Sequence, residues 1–206
     1  MTASHSIIAT LAAALTLAAC AGSSKPAAGP EPVPYPHTAA DVRFMSAMIG
    51  HHAQAVAIAG WAPSHGASPM VRRLAERIVN GQQDEIATME RWLRDRGEAV
   101  PGTHSPGEMG DHGAGHGHHM PGMLTKAQLS QLDEARGPAF DRLFLTFMIQ
   151  HHRGAVAMVQ ELFGTPRAGQ DETVFKFASD VSVDQSTEIA RMERMLADLP
   201  PGEPTR

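Results

Sequence analysis

Two pairs of adjacent histidines carry the strongest chemical signal in the sequence, because each pair lies in a copy of the same apolar segment. Each copy reads Met-Ile-x-His-His-x-x-Ala-Val-Ala, and an aspartate lies ten residues before its first histidine. The shared polar and thioether positions are Asp41, Met48, His51 and His52 in the first copy and Asp141, Met148, His151 and His152 in the second. This duplication predicts two equivalent helices that face each other in a bundle.

The combination of imidazole and thioether groups favours copper among the common metals. Adjacent helical residues point about 100 degrees apart, so each histidine pair straddles the stripe that Met48 or Met148 occupies. Thioethers are soft ligands that select Cu(I), and Ag(I) by the same chemistry, whereas nearby carboxylates would extend the site to Cu(II). We therefore expect a copper site at the shared positions, with Met158 extending the second stripe.

The competing interpretation is that these side chains only fill the core. A methionine on a helical stripe is usually core filler, and a buried histidine is more often hydrogen-bonded than bound to a metal. However, every buried imidazole needs a partner, so four of them beside two methionines would make a costly core. The duplication therefore favours metal binding.

A second duplicated motif, Gln-x-x-Glu-Ile-x-x-Met, follows each histidine pair on the next predicted helix. Its positions are Gln82, Glu85 and Met89 in the first copy and Gln185, Glu188 and Met192 in the second. Steps of three and four residues place each set on one helix face. The glutamates are candidates for direct ligands, for groups that hold a histidine ring nitrogen, or for ordinary surface acids, and the glutamines could hold a ring nitrogen in the same way.

The sequence supplies start and stop signals for the four long helices that would position these motifs. Thr38 and Asp41 have capping-box spacing, and Ser68 precedes a proline at a helix start. The predicted helices span about 38–60, 68–97, 138–165 and 173–199, with a short helix at 125–137. We therefore predict an all-α four-helix bundle over residues 38–199, built from two repeated helix pairs, 38–97 and 125–199.

A linker at residues 98–124 separates the two repeats and is rich in glycine, histidine and methionine. It shows no apolar periodicity, which is typical of a mobile loop. We expect it to be an auxiliary metal site or scavenger, and a solvated low-complexity linker is the alternative. Its candidate ligands are His104, Met109, His112, His116, His118, His119, Met120 and Met123.

The N-terminal segment predicts an exported lipoprotein. Residues 1–19 contain a short apolar run from Ile7 that ends in small residues, as in a signal peptide. The next residue, Cys20, completes a sequence that resembles a lipobox, although no lysine or arginine precedes Ile7. Lipid on Cys20 would be the sole membrane contact, with residues 20–37 as a flexible tether and residues 200–206 as a tail. A free cysteine, or cleavage elsewhere, is the alternative.

Composition narrows the possible partners of this 206-residue chain. The net charge of −5 gives no general attraction to nucleic acid, and a single cysteine excludes an intrachain disulfide. Aromatic residues make up only 5% of the chain, so the core must be built from aliphatic side chains and methionine, which suits packed helices.

Together the motifs resemble the CopM-like family, a bacterial family of unknown function whose members are ferritin-like helical bundles, often exported and linked to copper. The resemblance covers about residues 38–199 and rests on Phe-x-x-x-Met-Ile-x-His-His-x-x-Ala-Val-x-Met followed by Gln-x-x-Glu-Ile-x-x-Met. It implies copper binding at Met48, His51, His52 and their second-copy equivalents, with a part in copper tolerance. Ile58 replaces the methionine seen at Met158, so we expect the half-sites to differ in affinity.

The predicted function is therefore a copper-binding protein of the cell envelope that sequesters copper or passes it to a partner protein. A copper-dependent redox enzyme on the same bundle is the alternative, and a structural protein with a metal-free histidine cluster is a third interpretation. The chain contains no Glu-x-x-His, which argues against a di-iron carboxylate site. It also lacks a nucleophile elbow, a Gly-rich phosphate loop and His-Glu-x-x-His. The oligomeric state does not follow from these patterns.

Overall fold

The computed structural model describes residues 36–102 and 120–200, which contain five helices. The helices are α1 (Ala39–Ala59), α2 (Pro69–Asp95), α3 (Lys126–Glu134), α4 (Gly137–Gly164) and α5 (Glu172–Asp198). The predicted signal peptide, Cys20, almost all of the tether and the tail lie outside the described residues. So do six of the predicted linker ligands: His104, Met109, His112, His116, His118 and His119.

Local side-chain caps explain where the helices begin. Thr38 and Asp41 form the predicted capping box at the start of α1, and Thr125 and Gln128 form one at the start of α3. Ser68 caps α2 through the amide of Val71. The short helix ends at Glu134, three residues before the predicted stop, because the next two residues are extended and Gly137 has a φ of +55°.

The four long helices form a bundle of two helical hairpins. Helix α1 packs against α2, α4 packs against α5, and the hairpins meet through α1 and α4, while α3 packs on α4. The described residues contain no strand, so the predicted all-α four-helix bundle is confirmed. None of the described helices combines the length and apolar composition needed to cross a bilayer.

The core is divided into two apolar clusters, which lie toward opposite ends of the bundle. One, the Met89 cluster, takes side chains from residues 44–49, 89–93, 155–162 and 174–181 of the four long helices. The other, the Phe140 cluster, takes them from residues 55–59, 71–78, 140–149 and 192–195. Each long helix therefore leaves one cluster and enters the other near its middle, and the duplicated polar motifs occupy these four crossings.

Two aspartates fasten the helix starts across the bundle in matching ways. Asp41 of α1 accepts hydrogen bonds from the backbone N–H groups of Thr38 and Gly169, both at 2.6 Å, and Gly169 lies in the connection before α5. Asp141 of α4 accepts from the N–H of Ser68, at 3.1 and 3.3 Å to its two oxygens. Each hairpin thus holds the inter-helix connection of the other.

Candidate functional site

A layer of polar side chains separates the two apolar clusters, and we call it the polar layer. Its members are His51, His52, Gln82, Glu85, His151, His152, Gln185 and Glu188. All four histidines are 0% exposed and both glutamines are 3% exposed, whereas the two glutamate side chains keep 22% and 17% of their surface in solvent. The layer is therefore buried at its centre and reaches solvent at its glutamates.

Each glutamate holds the second histidine of one pair. The Nε2 atom of His52 lies 2.6 Å from Oε2 of Glu85, and Nε2 of His152 lies 2.8 Å from Oε2 of Glu188. A carboxylate only accepts hydrogen bonds, so Nε2 carries the proton and donates it in both pairs. When the ring is neutral, its lone pair then lies on Nδ1, which is buried and has no hydrogen-bond partner in either pair.

The first histidines of the two pairs lie against each other at the centre of the layer. The ring centroids of His51 and His151 are 3.8 Å apart with an interplanar angle of 38°. Nε2 of His51 donates to the backbone carbonyl of Pro121 at 3.0 Å, which leaves its Nδ1 without a partner. His151 has no partner at either ring nitrogen. The two central imidazoles therefore differ in how they are held.

Burial keeps the central imidazoles neutral. Desolvation, followed by repulsion from the neighbouring His52 when that ring is protonated, lowers the pKa of His51 to about 3, although the Pro121 carbonyl acts in the opposite direction. Desolvation and the nearby histidines also place the pKa of His151 well below its usual value, and the nearby backbone of His51, which acts in the opposite direction without reaching hydrogen-bond geometry, does not offset them. Neutral imidazole is the form that binds metal ions, so protons do not compete for these rings near neutral pH.

The layer concentrates unsatisfied hydrogen-bonding capacity. In the described residues, eight buried side-chain nitrogen and oxygen atoms have no hydrogen-bond partner, and all eight belong to the histidines and glutamines of this layer. Each such atom costs about 1–3 kcal/mol of folding free energy. An unexplained cost of this size, confined to one plane of the bundle, marks the layer as a site for a ligand or for bound water.

The side chains do not form a finished coordination shell. Within residues 36–102 and 120–200, no three His, Cys, Asp or Glu side chains meet in a group that could hold a metal ion. The contact between the two central rings is one reason, because no ion fits between rings at this distance. Binding of an ion would therefore require the imidazoles to turn or separate.

The other predicted ligands have contacts of their own outside the polar layer. Asp41 and Asp141 use their carboxylates in the cross-bundle contacts above, and each lies about 15 Å along its helix from the first histidine. The methionines are packed in the apolar clusters: Met48, Met89 and Met158 in the Met89 cluster, and Met148 and Met192 in the Phe140 cluster. The thioethers nearest in sequence, Met48 and Met148, lie within one helical turn of the histidines.

The sequence patterns missed the contacts of residues 120–124. Pro121 reaches His51, as described, and Leu124 exchanges two hydrogen bonds with Gln54 of α1. Met120 and Met123 were predicted only as ligands of a mobile loop. The sequence does contain one signal for these contacts, because the two repeats differ here. Gly50 and Gln54 flank the first histidine pair, whereas Gln150 and Gly154 flank the second.

Comparison with known proteins gives one family match. The domain of unknown function DUF305 matches residues 41–196. No curated protein matches the chain. A DUF305 fragment from Deinococcus radiodurans has a similar structure, with 30% identity, a TM-score of 0.65, and coverage of 80% of this chain and 99% of that chain. A predicted secreted DUF305 protein from Streptomyces coelicolor is 29% identical, with a TM-score of 0.65 and coverage of 81% and 98%.

A third similar structure is CopM in its Cu(I)-bound form. It is 27% identical to this chain, with a TM-score of 0.58 and coverage of 77% of this chain and 96% of CopM. CopM has also been solved in Cu(II)-bound, Ag-bound and apo forms.

Proposed function

The chain belongs to the DUF305 family, and from that premise we propose that it is an exported copper-binding protein whose polar layer binds Cu(I). The layer would sequester the ion or release it to a partner protein. Sequestration in a water-poor site between two apolar clusters would limit the reactions of Cu(I) with solutes. Ag(I), which has the same charge and softness, would bind as a surrogate.

The observation that carries this proposal is the tautomer of the layer histidines. In metalloproteins, a metal-bound histidine almost always donates its second ring N–H to a carboxylate or a backbone carbonyl. His51, His52 and His152 already donate Nε2–H to such acceptors, and each leaves a buried Nδ1 lone pair without a partner. The orienting contacts of a metal site are therefore present around three of the four rings.

The proposed ligands are the imidazoles of His51, His52, His151 and His152. Glu85 and Glu188 hold ring nitrogens rather than the ion, and their partial exposure would leave a route from solvent to the layer. Met48 and Met148 lie within a helical turn of the histidines, so a rotamer change would supply a soft thioether. The copper- and silver-bound structures of CopM support this choice of ion.

Export and anchoring are part of the same proposal. The N-terminal segment has the features of a lipoprotein signal with lipid on Cys20, and the similar Streptomyces protein is predicted to be secreted. The His/Met-rich linker, residues 98–124, would capture dilute ions and pass them to the bundle.

An anaerobic Cu(I) competition titration tests the proposed site. The full chain is compared with the double variant His51→Ala/His151→Ala and with a variant in which the histidines and methionine of residues 104–119 are replaced by serine. We expect the double variant to lose the tightest site and the serine variant to lose only weaker equivalents. Residues 120–124 are kept in every variant because they contact His51.

His65→Ala is the matched control, because it also removes a buried histidine, but one that lies in the connection between α1 and α2 and whose ring nitrogens both have partners outside the layer. It should leave the tight Cu(I) site intact. Loss of all tight binding in the serine variant, with none lost in the double variant, would assign the copper to the linker instead.

A further inference from the structure

Residues 120–124, which we call the strap, lie across α1 and α4 at the level of the polar layer. They follow the His/Met-rich part of the linker and precede the cap of α3. Their contacts with the layer begin at Pro121, whose carbonyl accepts the Nε2–H of His51 at 3.0 Å. The strap therefore reaches the centre of the site through a backbone atom.

On α1, the strap is fixed by a two-way amide contact. The side chain of Gln54 accepts a hydrogen bond from the N–H of Leu124 at 2.8 Å and donates one to its carbonyl at 3.2 Å. Gln54 is 2% exposed and lies one helical turn after His51. These two bonds hold the end of the strap beside the histidine that Pro121 contacts.

On α4, the strap backbone lies directly on the helix backbone. A Cβ atom at Gly154 would lie 2.0 Å from the Pro121 carbonyl oxygen and 2.6 Å from Cα of Gly122, so no residue larger than glycine fits. Gly122 has a φ of +78°, a conformation that favours glycine. The side-chain amide of Gln150, the residue before His151, donates through Nε2 to the Gly122 carbonyl at 3.3 Å.

The two repeats differ at these contact positions. A glycine precedes the histidine pair and a glutamine follows it in the first repeat, whereas the order is reversed in the second: Gly50 and Gln54 against Gln150 and Gly154. Both glutamine side chains form hydrogen bonds with the strap backbone, and the strap packs directly on Gly154. This exchange lets the strap bind in one orientation, which gives His51 an acceptor and leaves His151 without one.

We propose that the strap is a positioning element of the metal site, which holds His51 as the Nε2–H tautomer with Nδ1 free to bind a soft monovalent ion. The choice of ion rests on the proposed function, but the positioning of His51 does not. The strap also brings the linker's Met120 next to the site, since its methyl group lies 3.8 Å from where a Cβ on Gly50 would be. The side chain of Met120 therefore lies against α1 at the residue before His51.

The strap can be displaced by one methyl group. In Gly154→Ala the new Cβ collides with the Pro121 carbonyl, so the strap must shift and His51 loses its acceptor. With ring-¹⁵N-histidine-labelled full-length apoprotein, we expect the His51 signals to change from a single Nε2–H tautomer to exchange between tautomers. A titration with Ag(I) followed at the same ring signals should show affinity about 10–100-fold weaker, as for other lost orienting contacts.

Gly50→Ala is the matched control, because it is the same substitution next to His51 and would meet only the Met120 methyl group at ordinary contact distance. It should leave the tautomer and the affinity unchanged. Gln54→Ala releases the strap without a clash in α4 and should reproduce the effect of Gly154→Ala. Gln54→Ala also replaces Gly154→Ala as the test variant if Gly154→Ala does not fold.

The proposal is overturned if His51 stays a single Nε2–H tautomer with wild-type Ag(I) affinity in Gly154→Ala or, where that variant does not fold, in Gln54→Ala. If the variants change the tautomer while Ag(I) leaves the wild-type layer signals untouched, the positioning of His51 stands and the proposed metal function fails.

Discussion

At the residue scale, the four layer histidines are not equivalent, although the sequence motif presents them as two identical pairs. His52 and His152 donate to glutamates, His51 donates to a backbone carbonyl, and His151 has no partner. A buried imidazole without partners lowers the stability of the apoprotein, and such a cost persists where function requires it. His151 is therefore the residue at which stability and metal binding should conflict most clearly.

Replacing His151 by leucine should separate these two properties. The substitution removes two buried nitrogens that lack partners, so we expect the free energy of unfolding of the apoprotein to rise by about 1–3 kcal/mol. The same variant should lose the increase in stability that a bound ion gives to the native state. Urea unfolding with and without Ag(I) measures both effects.

The control for that experiment is His65→Leu. His65 is 5% exposed, its Nδ1 lies 2.9 Å from the Trp61 carbonyl, and its Nε2 lies 3.0 Å from the Asp133 carbonyl. Its loss should lower the stability of the apoprotein by about 1–3 kcal/mol and keep the response to Ag(I). Equal destabilisation by His151→Leu and His65→Leu would show that His151 is an ordinary core histidine.

The stability of the apoprotein should also depend on pH through the central histidines. Burial lowers the pKa of His51 to about 3, whereas an unfolded histidine titrates near 6.5. Below pH 6.5 the unfolded chain binds a proton on this histidine, whereas the native ring stays neutral. The stability linked to this ring is therefore fully present above pH 6.5 and is lost as the pH falls toward 3. The slope should approach about 1.4 kcal/mol per pH unit for each such histidine once the pH is well below 6.5.

Urea unfolding at pH 7, 6 and 5 measures this slope, and His151→Leu isolates the share of His151. The pKa of His151 is lowered in the same direction, so the stability advantage of the variant should grow as the pH falls. A difference between the two proteins that is independent of pH would contradict neutral burial of His151.

At the element scale, the aspartates that the sequence patterns predicted as ligands form hydrogen bonds that link the two hairpins. Asp41 joins the start of α1 to the connection before α5, and Asp141 joins the start of α4 to the connection before α2. These contacts fix the axial position of one hairpin against the other. The two histidine pairs meet only if they lie at the same level along the bundle. The aspartate contacts therefore affect the polar layer only by setting the positions of the helices.

Alanine at these aspartates should therefore weaken the fold and spare the proposed metal site. Asp41→Ala removes the cap at Thr38 and leaves the Gly169 amide without its acceptor, so we expect a loss of about 2–3 kcal/mol. Asp141→Ala removes only the contact with Ser68 and should cost about 1–2 kcal/mol. Thermal unfolding measures the losses, and a Cu(I) titration should return the wild-type stoichiometry for both variants. Loss of the tight site in either variant would instead support the predicted role of the aspartates as ligands.

At the scale of the whole molecule, the sequence was sufficient for the bundle and for the family. Capping pairs such as Thr38 with Asp41 are local in sequence, so the helix starts could be predicted from the sequence alone. The duplicated motifs mark equivalent levels along the four helices, so the level of the polar layer could be predicted in the same way. The resemblance to a CopM-like family is confirmed by the DUF305 match and by the similarity to CopM structures.

The asymmetry of the site could not be predicted in the same way. Pro121 contributes a backbone carbonyl, and any residue carries that group, so no side-chain pattern announces it. The strap can pack on α4 only because Gly154 has no Cβ atom. The Gly169 N–H group that donates to Asp41 lies 128 residues away from it in sequence. Contacts of this kind are decided by tertiary packing rather than by helical periodicity.

The most direct measurement of the central claim is anomalous diffraction at the copper edge from crystals grown anaerobically with one equivalent of Cu(I). Our account predicts one dominant peak between the Met89 and Phe140 clusters, about 2 Å from Nδ1 atoms of layer histidines. Copper found only away from that layer, with ordered water molecules hydrogen-bonded to the free Nδ1 atoms, would contradict it.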